Sequence, residues 1–141
     1  EFAADLILFM PGLTGPAWTA DADLPLSPGG MILADTKCRV EGRPNTWVVG
    51  DAGSFPGPDW MPKQAHMADL QGTTAAQNLI AELAGRQPRE TFKAELICII
   101  DTGDRGTLVM RTPDRSIMLP PLMLMHSAKS WFEWYYLWQL R

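Results

Sequence analysis

Nowhere in the 141 residues does a glycine-rich strand-turn-helix of the G-x-G-x-x-G kind occur, so the chain carries no loop of the sort that cradles a pyrophosphate at a helix N-terminus. Long apolar runs are also missing. None approaches the roughly 18 residues of a membrane span, and no secretory signal is visible. Basic charge is scarce: 12 Lys and Arg stand against 16 Asp and Glu, for a net charge of −4. No basic block is available to neutralise a phosphate backbone, which excludes nucleic acid as a partner. Two cysteines are too few for a disulfide framework, and no metal-ligand spacing accompanies them, so cysteine here means chemistry or packing and no metal is expected. Internal repeats and low-complexity tracts are absent. What the chain has in excess is six Trp and eight Met, which crowd toward its C-terminal third.

The stretch that organises the rest is Thr46-Trp47-Val48-Val49-Gly50-Asp51-Ala52-Gly53. It reads as an apolar strand, opened by the Pro44-Asn45 turn and ending abruptly in Gly-Asp ahead of a long helical pattern. In an open α/β sheet, ligands sit outside the carboxyl ends of the strands, where glycine lets the backbone come close and an acid holds a hydroxyl. Gly50 and Asp51 stand at such an end. Upstream, Asp5 to Met10 reads as a buried strand, followed by a long Pro/Gly-rich loop through Pro28-Gly29-Gly30; loops beyond about 12 to 15 residues are usually functional or disordered. Met31 to Ala34 and Lys37 to Val40 make short strand candidates. Downstream, a helix is predicted from about Pro62 to Leu83, closed by Gly85, with Ala65, Ala68, Gly72, Ala75, Ala76, Leu79, Ile80 and Leu83 as its inner face. Pro62 suits a first helical turn, whose free N–H groups attract negative charge.

The last third changes character. Glu95 to Ile100, an Asp101–Gly106 turn and Thr107 to Met110 predict a β-hairpin, with Ser116 to Leu119 as a third strand. Pro120-Pro121 then separates this sheet from an aromatic helical segment, His126 to Arg141. Cys98, flanked by Ile97 and Ile99, reads by itself as a buried hydrophobe. Cys38 reads as a packing or surface residue.

The Pro-Asn turn, the apolar strand and Gly50-Asp51 resemble the second FAD-binding motif of the two-dinucleotide-binding flavoprotein oxidoreductases, in which the Asp binds the ribityl chain. That resemblance implies FAD as cofactor, with Pro62-Lys63 matching the Pro-Lys that opens the helix pointing at the flavin's N1/C2=O side. Leu96-Ile97-Cys98-Ile99-Ile100-Asp101-Thr102-Gly103 narrows it to sulfide:quinone oxidoreductase and its relative flavocytochrome c sulfide dehydrogenase. Cys98 would there be half of a redox-active cysteine pair beside the flavin, its partner lying outside these residues. Lys129-Ser130-Trp131-Phe132-Glu133-Trp134-Tyr135-Tyr136-Leu137-Trp138 is similar to the Lys-x-x-Phe-Glu-Lys-Tyr-Phe-Leu-Trp string of the quinone-reducing enzymes. It implies that Lys129 approaches the quinone and that Phe132 and Ile97 sandwich its ring. Trp134 departs from the string, which has lysine there.

The expectation is therefore an α/β or α+β fragment. Residues 1–88 would be the C-terminal half of a Rossmann-like FAD-binding domain, and 89–141 a small antiparallel sheet with an amphipathic aromatic helix. The parent would be a peripheral membrane enzyme taking electrons from sulfide through Cys98 and FAD to quinone. The aromatic helix would meet the membrane surface, where Trp and Tyr satisfy both an apolar body and a polar tip, and the fragment would self-associate. Two alternatives stand beside it. One is type II NADH dehydrogenase, which shares the Gly-Asp strand and helix but has no reason for Cys98; the other is a non-catalytic membrane or self-association module.

Overall fold

A strand needs a neighbour to satisfy its backbone, and the strands of this chain fall into two groups according to where neighbours exist. The computed structural model describes residues 3–139; Glu1-Phe2, and Leu140-Arg141 at the end of the aromatic segment, lie outside them. In the first group, β1 (Ile32–Leu33) pairs in parallel with β2 (Gly53–Ser54), Ile32 opposite Gly53 and Leu33 opposite Ser54. Helix α1 (Ala65–Leu83) follows. The second group is an antiparallel sheet of β3 (Leu96–Asp101), β4 (Gly106–Arg111) and β5 (Ser116–Met118), and helix α2 (Met123–Gln139) packs against β3 and β4. Two sheets and two helices make a mixed α and β fold, as expected.

Two apolar clusters hold the first group together. Ile32, Ala34, Val40 and Val48 form one; Cys38, Met67 and Phe92 form the other, and Phe55 packs against both. Phe55 meets Phe92 edge to face at 5.3 Å.

Several expectations are corrected. Asp5 to Met10 is not a buried strand: it pairs with nothing among the described residues, and Leu6 to Met10 lie exposed. An apolar run becomes a strand only when a partner edge is present. Lys37 to Val40 makes only isolated bridges, Ala34 to Val40 and Arg39 to Trp47. The carboxylate of Asp35 accepts from the N–H groups of Lys37 and Arg39, both at 2.9 Å, and this turn carries Cys38 into a left-handed conformation with φ 66° that a strand cannot contain. The Trp47–Val49 strand is likewise reduced to one bridge, with Val48 buried and Val49 exposed. Gly50–Ala52 then forms a 3-10 turn rather than a strand end.

The inner face of α1 is rotated from the predicted one. Met67, Gln71, Thr74 and Asn78 are buried, whereas Ala65, Ala76, Leu79, Ile80 and Leu83 are exposed. Gln71 and Asn78 go inward because each has backbone to satisfy. Asn78 donates from Nδ2 to the carbonyls of Lys37 and Glu90 at 3.3 and 2.9 Å and accepts from the Glu90 N–H at 3.0 Å, which sews the connection after α1 onto the turn around Cys38. The helix stop agrees with its sequence signal: Gly85 has φ 68° and Arg86 N–H returns to the Ala81 carbonyl.

Helix α2 begins at Met123, three residues before the predicted His126. Leu122 exchanges backbone hydrogen bonds with Gly106, both at 2.9 Å, and its carbonyl then accepts from the first turn of the helix. Gly106 is glycine for a steric reason. A Cβ there would lie 2.9 Å from backbone atoms of Met125 and His126 and from the Ile99 side chain, so a side chain would lift α2 off the sheet.

Candidate functional site

The expected cofactor residues Gly50, Asp51, Pro62 and Lys63 come together as walls of one cleft between the Gly50–Ala52 turn and the start of α1. Gly50 has φ 69°, a conformation that needs glycine, and its N–H donates to Oε1 of buried Gln71 at 2.7 Å. Lys63 extends across the loop and donates from Nζ to the carbonyls of Asp51 at 3.0 Å and Gly53 at 2.7 Å. Partial burial of its ammonium pushes the Lys63 pKa below the ordinary lysine value, while the charge of Asp51 opposes that fall. Asp51 itself is exposed. The lysine thus braces the turn through its backbone, leaving an acid at the rim.

Pro62 and Lys63 precede α1 rather than opening it. The residue before the helix is Gln64, whose side chain makes no cap. Proline 62 fixes an extended approach, and the first-turn N–H groups beginning at Ala65 are left without a capping side chain on the cleft side of the helix. The donor set is suited to one flank of an anionic or hydroxyl-rich cofactor: a glycine that permits close approach, an acid, a half-buried cation and free N–H groups. It is only a flank. The cleft holds about 120 Å³, against the roughly 300–1,000 Å³ of an enclosing ligand pocket.

Cys98 lies half-buried on β3, opposite Val109. Alternation along β3 sets Leu96, Cys98 and Ile100 on one face and Ile97, Ile99 and Asp101 on the other. The second face looks toward α2, since Asp101 binds His126 of that helix with Nδ1 at 3.0 and 3.1 Å from the two carboxylate oxygens. The first face looks toward the loop before α1: Arg111, paired with Leu96, stacks its guanidinium over Trp60 at 4.7 Å. Ile97 and Cys98 therefore point to opposite sides of the sheet. The backbone of Ile97 is linked to the cleft through Gln64, one of its lining residues, whose side-chain amide donates to the Ile97 carbonyl at 3.5 Å. Lys129 and Phe132 are on α2; Lys129 is half-buried with its charge near Asp101, and Phe132 is exposed and stacks on Tyr136 at 5.9 Å.

Cys38 has an entirely different setting. It is fully buried beside Met67 and Phe92, which removes the surface alternative, and burial followed by the nearby Asp35 charge pushes its thiol up to about 12. Gln71, Gln64, Glu95 and the two histidines went unread in the sequence. For Gln71 the signal was a polar residue interrupting an apolar face at helical spacing, which pattern alone assigns to solvent; Gln64 and Glu95 lie just outside α1 and β3 and carry no periodic signal.

Among the described residues no group of three or more acidic, His or Cys side chains is arranged to hold a metal ion, and no helix is long and apolar enough to cross a membrane. No protein-family model matches the chain. It is 24% identical over 157 aligned positions to the sulfide-quinone reductase of Aquifex aeolicus, an alignment taking in 100% of this chain and 36% of that protein. The crystal structure of the sulfide:quinone oxidoreductase from the same hyperthermophilic bacterium superposes with a TM-score of 0.84 at 24% identity, covering 94% of this chain and 34% of that one. The chain has the fold of part of a sulfide:quinone oxidoreductase. It spans about a third of the length of that protein, and the cleft, β3 and α2 all fall inside a sulfide:quinone oxidoreductase-like piece.

Proposed function

We propose that the protein to which this chain belongs is an FAD-dependent oxidoreductase that takes electrons from sulfide at Cys98 and delivers them to a quinone. The observation that carries this reading is the position of β3: one strand, tied to the cleft through Gln64 and Ile97, presents Cys98 on one face and Ile97 on the other. Two substrates that must not react directly with each other need two separated approaches to one electron carrier, and strand alternation supplies them.

In this reading, Gly50 and Asp51 hold the ribityl side of the flavin, and Pro62 and Lys63 set the approach to its anionic edge. The bound flavin supplies a two-electron relay between substrates that meet it in turn. Sulfide is a strong nucleophile toward sulfur and would attack a disulfide joining Cys98 to a second cysteine outside these residues: the new S–S bond forms as the old one breaks, leaving a persulfide on one cysteine and a thiolate on the other, whose electron pair the flavin would take up. On the opposite face Ile97 and Phe132 clasp the quinone ring and Lys129 offers a cation to the reduced oxygen. Helix α2 leaves Trp131, Phe132, Trp134, Leu137 and Trp138 exposed, a surface suited to resting on a membrane that contains the quinone. Exposed Leu6 to Met10 supports self-association, or cover by another part of the full-length protein. The parent would carry the rest of the FAD site, including the pyrophosphate loop, outside these 141 residues.

The direct test is anaerobic titration of the flavin-loaded, full-length protein with sulfide and, separately, with NADH. Bleaching of the flavin absorbance by sulfide is expected. Bleaching by NADH alone would replace this reading with the NADH dehydrogenase one.

A further inference from the structure

The chain contains two histidines, and each binds a carboxylate at one end of the same strand. His66, in the first turn of α1, has Nε2 at 2.5 Å from Oε1 of Glu95, the residue immediately before β3. His126, near the start of α2, holds Asp101, the last residue of β3, through Nδ1. We propose that His66 and His126 are positioning residues that clamp the two ends of β3, His66 setting the strand against the cleft and His126 setting it against α2. This rests on the function proposed above, because it assigns each clamp to one of the two half-reactions.

Three observations support a positioning role over a merely stabilising one. Both pairs are partly exposed, with side-chain exposures of 37% and 30% for His66–Glu95 and 35% and 20% for His126–Asp101, and ion pairs that open to water add little to overall stability. Each clamp is doubled by a second contact at the same end. Met67 accepts from the Glu95 N–H at 3.5 Å beside His66, and the Gly103 N–H donates to Asp101 Oδ1 at 2.9 Å beside His126. β3 is an edge strand, held in register by six pairs with β4 but with no strand against its other edge among the described residues, so a tilt of the hairpin between the two helices would carry Cys98 and Ile97 with it.

The two clamps use different ring nitrogens, which makes the test specific. A glutamine places its amide nitrogen where histidine has Nε2, and an asparagine places its own where histidine has Nδ1. In the flavin-loaded, full-length protein, His66→Ala should slow flavin reduction by sulfide about tenfold, well within what a 1 Å misplacement costs. Reoxidation of the reduced flavin by a soluble quinone should stay near the unsubstituted rate. His126→Ala should do the reverse. His66→Gln and His126→Asn should restore the affected rate, and melting temperatures should stay close to that of the unsubstituted protein. Equal slowing of both half-reactions by either variant, no slowing by either, or failure of the amide variants to restore would overturn the proposal. If the unsubstituted protein is not reduced by sulfide at all, the proposed function falls instead. The clamps are then decided by amide hydrogen exchange: His66→Ala must speed exchange at the Leu96 end of β3 and His126→Ala at the Asp101 end, and uniform or absent change refutes them.

Discussion

The N–H of Gly50 donates to the side-chain carbonyl of Gln71 at 2.7 Å, and through that one bond a buried position on α1 sets the backbone of the turn that carries Asp51. A glycine with φ 69° has no side chain to anchor it, so its conformation depends on what its N–H meets.

Gln71→Met keeps the volume but leaves the Gly50 N–H without its partner. The expected loss is about 1–3 kcal/mol of stability in urea denaturation, together with weaker FAD retention in the full-length protein at unchanged Asp51. Full stability and full flavin occupancy in this variant would mean that the turn is held by Lys63 alone.

Cys38 and Cys98 should separate cleanly in thiol chemistry. The Cys38 thiol is buried and pushed up to about 12, so it stays protonated where an unfolded cysteine, at roughly 8.5, has ionised. Its folded-state value is raised, so its contribution to stability is complete below the unfolded value and falls as pH rises toward 12. With any disulfide to Cys98 first reduced, a thiol-disulfide reagent at pH 8 should label Cys98 in the native protein and reach Cys38 only on unfolding. Cys38→Ala should flatten the loss of stability on the alkaline side. Equal labelling of both thiols in the native protein would contradict the buried setting of Cys38.

The hairpin and α2 were legible in the sequence, because β3 and β4 alternate over a turn of obvious composition and the pairing is local. The residues of the cleft were legible individually through the Gly-Asp and Pro-Lys dipeptides, yet their support was not. Gln71 and Asn78 face inward to satisfy backbone groups on segments 21 and 12 residues away in sequence, and no helical periodicity of apolar residues reports such a bond. Asp5 to Met10 failed for the opposite reason. Its pattern is that of a strand, but pairing is a property of two segments, and among the described residues none lies beside it.

Asp101 ties the hairpin to α2 in a pH-dependent way. The N–H of Gly103 and then the His126 hydrogen bond hold its carboxyl below the ordinary range, outweighing the opposing effect of burial, with the charges of His126 and Lys129 adding smaller pulls in the same direction. A depressed carboxylate contributes stability above its unfolded value of roughly 3.9 and loses it as pH falls through the lower folded value. The tie should therefore hold through the ordinary carboxylate range and loosen only below it, a small effect for a pair open to water, read as faster amide exchange at the Asp101 end of β3. Asp101→Asn should speed that exchange at neutral pH and remove most of its acid dependence. An unchanged acid dependence in the variant would show that α2 is held by other contacts.

The sharpest question concerns Cys98, and it turns on the difference between a cysteine that packs and one that reacts. Cys98→Ser is nearly isosteric on a half-buried strand position, so a packing role gives a modest loss of stability and activity in proportion to folded protein. A redox role gives a different pattern. Without the thiolate, no persulfide or disulfide relay forms beside the flavin, and sulfide-dependent flavin reduction should fall by at least about a thousandfold while FAD content and melting temperature stay near those of the unsubstituted protein. Phe132→Ala is the matched control, because Phe132 is exposed on α2 and contributes little to the core. It should slow turnover with quinone and leave anaerobic flavin reduction by sulfide intact. If Cys98→Ser reduces its flavin with sulfide at the unsubstituted rate, Cys98 is a packing residue, and the sulfide step does not run through it.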